Sequence, residues 1–210
     1  MSKVTIVTGH YGSGKTNLAV NLALWQSPCR IADLDIVNPF FRTADFAELF
    51  LRNNIQLNVS SYANTNLDIP ALNFGLSAEP TDKLPLIIDV GGDDEGAKAL
   101  GRYKNVLNNR EVEFIYVVNF RRFLTQTPSE AERLMREIEA ASGTSATAIV
   151  NNTNLGEQTT ADIIESSVVQ AKELSRITNL PLLFTTAKAG LFPSDRHGIK
   201  PIDVFVKTFI

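Results

Sequence analysis

The 210-residue sequence has a single cysteine, Cys29. That excludes an internal disulfide framework, and any zinc or iron–sulfur site built from this chain's cysteines alone. No apolar run approaches the ~18 residues of a membrane-spanning helix, so no membrane partner is expected. Lysine and arginine total 20 against 23 acids, a formal charge of −3. There is therefore no broad basic field, and no nucleic-acid partner is expected. Twelve glycines and nine prolines are too few for a low-complexity chain. The first apolar run, VTIVTG at 4–9, is too short for a secretory leader. With the lone cysteine, this makes the cytoplasm the expected location. What is present is a globular balance, 44% hydrophobic and 20% charged, enough to build one sizeable core over residues 1–210.

Apolar, β-branched runs of strand length recur along the chain: 4–9, 30–35, 55–61, 84–92, 113–120, 146–152 and 180–187. Several lack polar alternation, as strands covered on both faces do. Helical patterns separate them at 15–26, 129–142 and 160–177. Leu18, Leu22 and Trp25 fall on one face of the first helix by their spacing. Thr127-Pro128 opens the second and Gly143 closes it. This alternation predicts an α/β fold, a doubly wound, mostly parallel sheet of about seven strands with helices on both faces. The segment 61–83 has weak periodicity and turn-prone clusters. It reads either as a functional loop or as a short helix and loop over a sheet edge.

Residues 9–16 read Gly9-His10-Tyr11-Gly12-Ser13-Gly14-Lys15-Thr16. This is G-x-x-x-x-G-K-[ST], the phosphate loop called Walker A, placed between a strand and a helix. Gly9, Gly12 and Gly14 free the backbone for left-handed turns that aim N–H groups at phosphate. The amides of Ser13 and Asn17 belong to the same loop and first helical turn, where the helix dipole adds to them. Lys15 can neutralise the β- and γ-phosphates, and Thr16 can place its hydroxyl on Mg²⁺.

Such a loop needs a partner acid for the metal. Asp89 closes the apolar run LPLIID, as a Walker B acid should, and Gly91-Gly92 follow where backbone can sense a γ-phosphate. Asp93, Asp94 and Glu95 then form either a mobile acidic segment or a solvated helix start. At the end of the second strand run, Asp33 and Asp35 alternate onto one face. Ligands of doubly wound sheets bind at such strand ends. A carboxylate there can hold the metal's water shell or orient an attacking water.

These segments together resemble the MinD/ParA and CobQ/CobB group of P-loop NTPases, the SIMIBI class, and within it members known only as ATP-binding proteins. TGHYGSGKTN matches the group's phosphate loop, ADLDIVNP its D-x-D switch with a following proline, and IIDVGGDD its Walker B and second switch. The resemblance implies an ATP-binding P-loop NTPase with Lys15 and Thr16 on phosphate and Mg²⁺. It further implies Asp35 orienting water, Asp33 supporting the metal shell and Asp89 as the Walker B acid. One departure stands out. Where the MinD/ParA group carries a signature lysine that reaches a partner's nucleotide, this chain has His10. Histidine is shorter and only partly charged near neutral pH, which bears on an ATP-dependent homodimer. The tail GIKPIDVFVKTFI does not resemble the basic amphipathic anchor of MinD-like proteins.

The run Asn151-Asn152-Thr153-Asn154 ends the sixth strand, where GTPases often place N-K-x-D. Guanine needs an ionised acceptor that asparagine does not supply. Asparagine can pair with the adenine edge, so Asn151 or Asn152 is the expected reader and ATP the expected nucleotide. Arg121 and Arg122 follow the fifth strand and can clamp a phosphate or an acidic substrate, or simply open a solvated helix. Thr185, Thr186 and Lys188 follow the last run and can line the base pocket. Phe40 and Phe41 follow the switch acids as either a partner surface or core.

Three functions fit. One is a slow ATPase acting as a nucleotide-dependent switch on an unknown protein partner. Another is an ATP-dependent kinase- or ligase-like enzyme on a small acidic substrate, as in dethiobiotin-synthetase-like relatives. The third is a non-enzymatic ATP-binding module.

Overall fold

The computed structural model describes residues 3–34, 46–58, 84–91, 94–101, 107, 110–192 and 198–205. Eight strands form one sheet: β1 (Val4–Thr8), β2 (Cys29–Asp33), β3 (Ile55–Asn58), β4 (Leu86–Asp89), β5 (Val112–Val118), β6 (Ala148–Asn151), β7 (Leu182–Lys188) and β8 (Ile199–Ile202). Their order is β3-β2-β4-β1-β5-β6-β7-β8, and every neighbouring pair is parallel. This is the doubly wound α/β architecture expected, with one strand more. That strand, β8, contains Pro201, which a ladder tolerates at an edge.

The central strands explain the lack of alternation. Val4 and Ile6 of β1, Leu86 and Ile88 of β4, and Phe114 and Tyr116 of β5 face one layer. It is built from α3 (Asp94–Gly101), α4 (Pro128–Ser142) and α5 (Ala161–Thr178). Val7, Ile31, Ile87, Ile115 and Val117 face the other, which holds α1 (Lys15–Trp25) and α2 (Ala47–Arg52). Each fully buried aliphatic side chain contributes roughly 1.5–3 kcal/mol, so the sheet's two faces carry most of the hydrophobic stabilisation.

Helix ends follow their sequences. Thr127 and Glu130 form a reciprocal capping box on α4, with Pro128 at its start. Thr160 caps α5, and Asn179 ends it in the left-handed region (φ 56°). On α1, Leu18 and Leu22 are buried as expected, but Trp25 is not. Its ring instead meets Phe184 edge-on at 6.0 Å and lies under the Lys200 ammonium at 3.7 Å, fastening β8 to the helix end. Among the described residues, no helix is long and apolar enough to cross a membrane.

Candidate functional site

The loop that leaves β1 has the backbone its glycines require. Gly9, Gly12 and Gly14 all have positive φ, at 150°, 73° and 84°. A Cβ on Gly9 would lie 2.2 Å from the Val117 carbonyl oxygen, and one on Gly14 2.2 Å from Asn152 Nδ2. Neither gap admits a side chain. Gly14 is also the N-cap of α1. It has no side chain to satisfy the helix's first amides, whereas Thr127 and Thr160 do so for α4 and α5. The first turn of α1 thus presents N–H groups and the positive dipole end to a ligand. Lys15 is buried, and its Nζ donates to the His10 carbonyl at 3.3 Å. The Ser13 amide donates to that same carbonyl at 3.0 Å. The loop is therefore wrapped around the lysine stem.

Two acids stand beside it. Asp33 and Asp89 are direct register partners on β2 and β4, and Val7 of β1 pairs with Asp89 on its other side. In-register residues of parallel strands point to one face. Ile31 and Ile87, two residues earlier, place that face on the α1 side. Asp89 is 1% exposed. Both carboxylates thus sit at strand ends on the face where Thr16 opens α1. Among the described residues no cluster of three or more His, Cys, Asp or Glu could cage a metal. A hard cation such as Mg²⁺ still fits this donor set, because it commonly binds through phosphate, water and one or two protein oxygens. Asp35, Gly92, Asp93, the 38–42 run and the 61–83 segment lie outside the described residues, as do the side chains of Asp94 and Glu95.

The asparagine run is engaged with the protein itself. Asn151 is fully buried. Its Nδ2 donates to Ser167 Oγ (2.8 Å) and Thr185 Oγ1 (3.2 Å), and its Oδ1 accepts from Thr153 N and Oγ1. Asn152 donates to the Ser13 carbonyl at 2.6 Å and accepts from Thr186 Oγ1. Each amide thus has both ends engaged, and neither turns an open edge toward a base. Asn154 is less buried but is engaged as well: its Nδ2 donates to Asn152 O (2.8 Å) and its Oδ1 accepts from Gly156 N (3.3 Å). The side chain of Asn17 is also engaged: Nδ2 donates to Asp203 O (3.0 Å) and Oδ1 accepts from Phe205 N (2.8 Å). Any part of Asn17 in phosphate binding falls to its backbone amide.

His10 is disfavoured as a cation. Burial, then the charge of Lys15, lowers its pKa below the ordinary 6.5. It does not supply a permanent cation where the signature lysine would. Arg122, in contrast, donates from Nε to the Gly12 carbonyl at 3.0 Å. Nothing local in the sequence signals this contact, since the two residues are 110 apart. Arg121 is exposed, so the two arginines do not form a common clamp. Lys188 pairs with Glu157 at 3.0 Å, joining the end of β7 to the loop after β6. Cys29 is an inert core residue whose thiol burial pushes up to about 11.

A scan against protein-family models and a search of curated proteins gave no match. Solved structures do match in fold. Cell division protein FtsY of Thermotoga maritima is similar with a TM-score of 0.59 at 16% identity, over 96% of this chain and 65% of that one. The 54 kDa signal recognition particle protein of Aeropyrum pernix, in complex with GDP, gives 0.55 at 16% identity, over 88% of this chain and 41% of that one. A nucleotide-binding protein of Archaeoglobus fulgidus, in complex with ADP, gives 0.52 at 16% identity, over 90% of this chain and 83% of that one. The chain spans less than two thirds of the FtsY structure. These likenesses show the fold, an α/β P-loop NTPase sheet with its helices.

Proposed function

We propose that this chain is a SIMIBI-class, MinD/ParA- and CobQ/CobB-like NTPase that binds Mg·ATP at residues 9–16 and hydrolyses it slowly as a nucleotide-dependent switch. The observation that carries this reading is an uncapped helix N-terminus, opened by Gly14 at φ 84°, beside the in-register pair Asp33 and Asp89. That places anion-binding amides next to metal-facing carboxylates. Nucleotide-bound neighbours of the same fold, one with ADP and one with GDP, support it as analogy.

The roles follow from chemistry. The amides of 14–17 and the Lys15 ammonium stabilise negative charge on the β- and γ-phosphates, while the Ser13 amide, expected on phosphate, closes the loop onto the His10 carbonyl. Mg²⁺, when bound, supplies further charge neutralisation there. Thr16 would hold it directly, with Asp33 and Asp89 accepting from its water shell. Asp35 would orient the attacking water. ATP is favoured over GTP because the 151–154 run holds no carboxylate for guanine's ring-edge donors. The amides of Asn151, Asn152 and Asn154 are all engaged within the protein, so a base contact by any of them would exchange one of these bonds.

Hydrolysis would reset segments 35–42 and 89–96, and through them an unknown protein partner or an ATP-dependent homodimer. The kinase-like alternative loses support from Arg122, which turns to the loop instead of joining Arg121 on a substrate. The test is phosphate release from ATP with Mg²⁺ present. Asp35→Asn is expected to keep nucleotide binding and slow release by about tenfold or more. An unaltered rate would move water positioning to another residue. No release by the wild-type chain, with ATP still bound, would leave the non-enzymatic module.

A further inference from the structure

We propose that Arg122 is a positioning residue of the phosphate site: its guanidinium holds the Gly12 carbonyl outward and supplies the site's second positive charge. This rests on reading 9–16 as the phosphate loop.

Gly12 is in the left-handed region (φ 73°), and a Cβ there would lie 3.2 Å from Arg122 Nε and 3.5 Å from Cζ. The guanidinium therefore lies directly against the loop backbone. Among the described residues, Arg122 makes one side-chain hydrogen bond, from Nε to the Gly12 carbonyl. Among the described residues, no carboxylate pairs with Arg122.

The arginine is delivered by a rigid turn. The Arg122 amide donates to Asn119 O (3.1 Å), and Thr125 Oγ1 donates to the same carbonyl (2.7 Å). Asn119 Oδ1 accepts from the Arg121 amide (2.9 Å), and the Phe120 amide donates to Thr153 Oγ1 (3.0 Å). Asn152, next to Thr153, holds the Ser13 carbonyl. Two side chains from two different strand ends thus pin consecutive carbonyls of the loop. The Ser13 amide between them closes onto the His10 carbonyl, so the turn is fixed, and across a trans peptide the pinned Ser13 carbonyl turns the Gly14 amide the opposite way, toward the anion side.

The charge argument is separate. A triphosphate brings several negative charges, and Lys15 is one cation. Burial and the charge of Lys15 disfavour protonation of His10. A guanidinium stays charged and is weakly hydrated, which suits it to a partly buried rim.

The experiment is calorimetric titration of the full chain with tripolyphosphate, ADP and adenosine. Variants are Arg122→Gln, Arg122→Lys and Lys15→Ala. Arg122→Gln is expected to weaken tripolyphosphate and ADP alike by about tenfold, the scale of one charge-assisted hydrogen bond, and to leave adenosine unchanged. Arg122→Lys is expected to regain most of that loss. Wild-type affinity in Arg122→Gln, with Lys15→Ala inactive, overturns the proposal and leaves the phosphate-loop reading standing. Wild-type affinity in Lys15→Ala overturns both. Weakening of ADP but not tripolyphosphate places the guanidinium on the nucleoside and overturns the charge assignment. If Arg122→Gln does not fold, the Lys variant decides. Near-native tripolyphosphate affinity supports the proposal, and a loss of tenfold or more contradicts it.

Discussion

Single residues of the phosphate loop are fixed by steric limits that a sequence displays well. Glycines at 9, 12 and 14, then Lys15 and Thr16, predict the positive φ angles that are found. Gly14→Ala should therefore be severe. It forces an L-residue into φ 84° and drives a methyl into Asn152 Nδ2. We expect a loss of about 2 kcal/mol or more in urea unfolding, together with loss of nucleotide binding. Stability equal to wild type would mean the loop adopts another backbone. The asparagine run was less legible. Residue type correctly placed amides at the end of β6, but only the fold shows that Asn151 and Asn152 serve Ser167, Thr185 and Ser13. Those partners are 16, 34 and 139 positions away, beyond any local pattern. His10 gives a pH prediction. Its folded pKa lies below the ordinary 6.5, so the unfolded chain binds its proton more readily. Stability from this group is full above about pH 6.5 and declines as pH falls through the unfolded value toward the folded one. His10→Gln should flatten that part of the profile, below about pH 6.5, in urea midpoints. An identical slope in the variant would assign the effect to other groups.

Elements were legible where their pattern is internal. The α4 signals, Thr127, Pro128 and Gly143, act as their residue types suggest, and the structure adds Glu130 to the cap. Removing the cap with Thr127→Ala should cost about 1 kcal/mol in unfolding free energy. A change within error would show the α4 start held by packing alone. Strand β8 was missed because Ile-Lys-Pro-Ile is short, mixed in polarity and interrupted by proline. Its place is set by tertiary partners. After it, Asp203 and Phe205 are strapped to α1 by Asn17 and Asn21: Asn21 Nδ2 donates to Asp203 O (2.9 Å) and Oδ1 accepts from Asp203 N (3.0 Å). Phe205 then meets Phe46, just ahead of α2, at 6.2 Å. Asn21→Ala removes the partner of the Asp203 amide while Asp203 O keeps Asn17 Nδ2, and about 0.5–1.5 kcal/mol should be lost. Proteolysis after Lys200 should quicken in step. Unchanged stability and cleavage would mean the strap is held by Phe205 and Lys200 alone. The same asparagines look like ordinary polar positions on a helix, and only the strap explains why they are buried.

For the whole molecule, unalternating hydrophobic runs separated by helical patterns were enough to specify a parallel sheet covered on both faces. The neighbours carry the same architecture at identities near 16%. Topology brings the ends of β1, β2 and β4 together, so a loop and two acids separated by more than fifty residues become one site. A binding claim follows from that convergence, and calorimetry tests it directly. Mg·ATP and Mg·GTP would be titrated into the wild-type chain and into Lys15→Ala. The account predicts that ATP binds more tightly than GTP and that Lys15→Ala loses both. Equal ATP affinity in the two proteins would contradict it, because Lys15 is the cation around which the whole loop is wrapped.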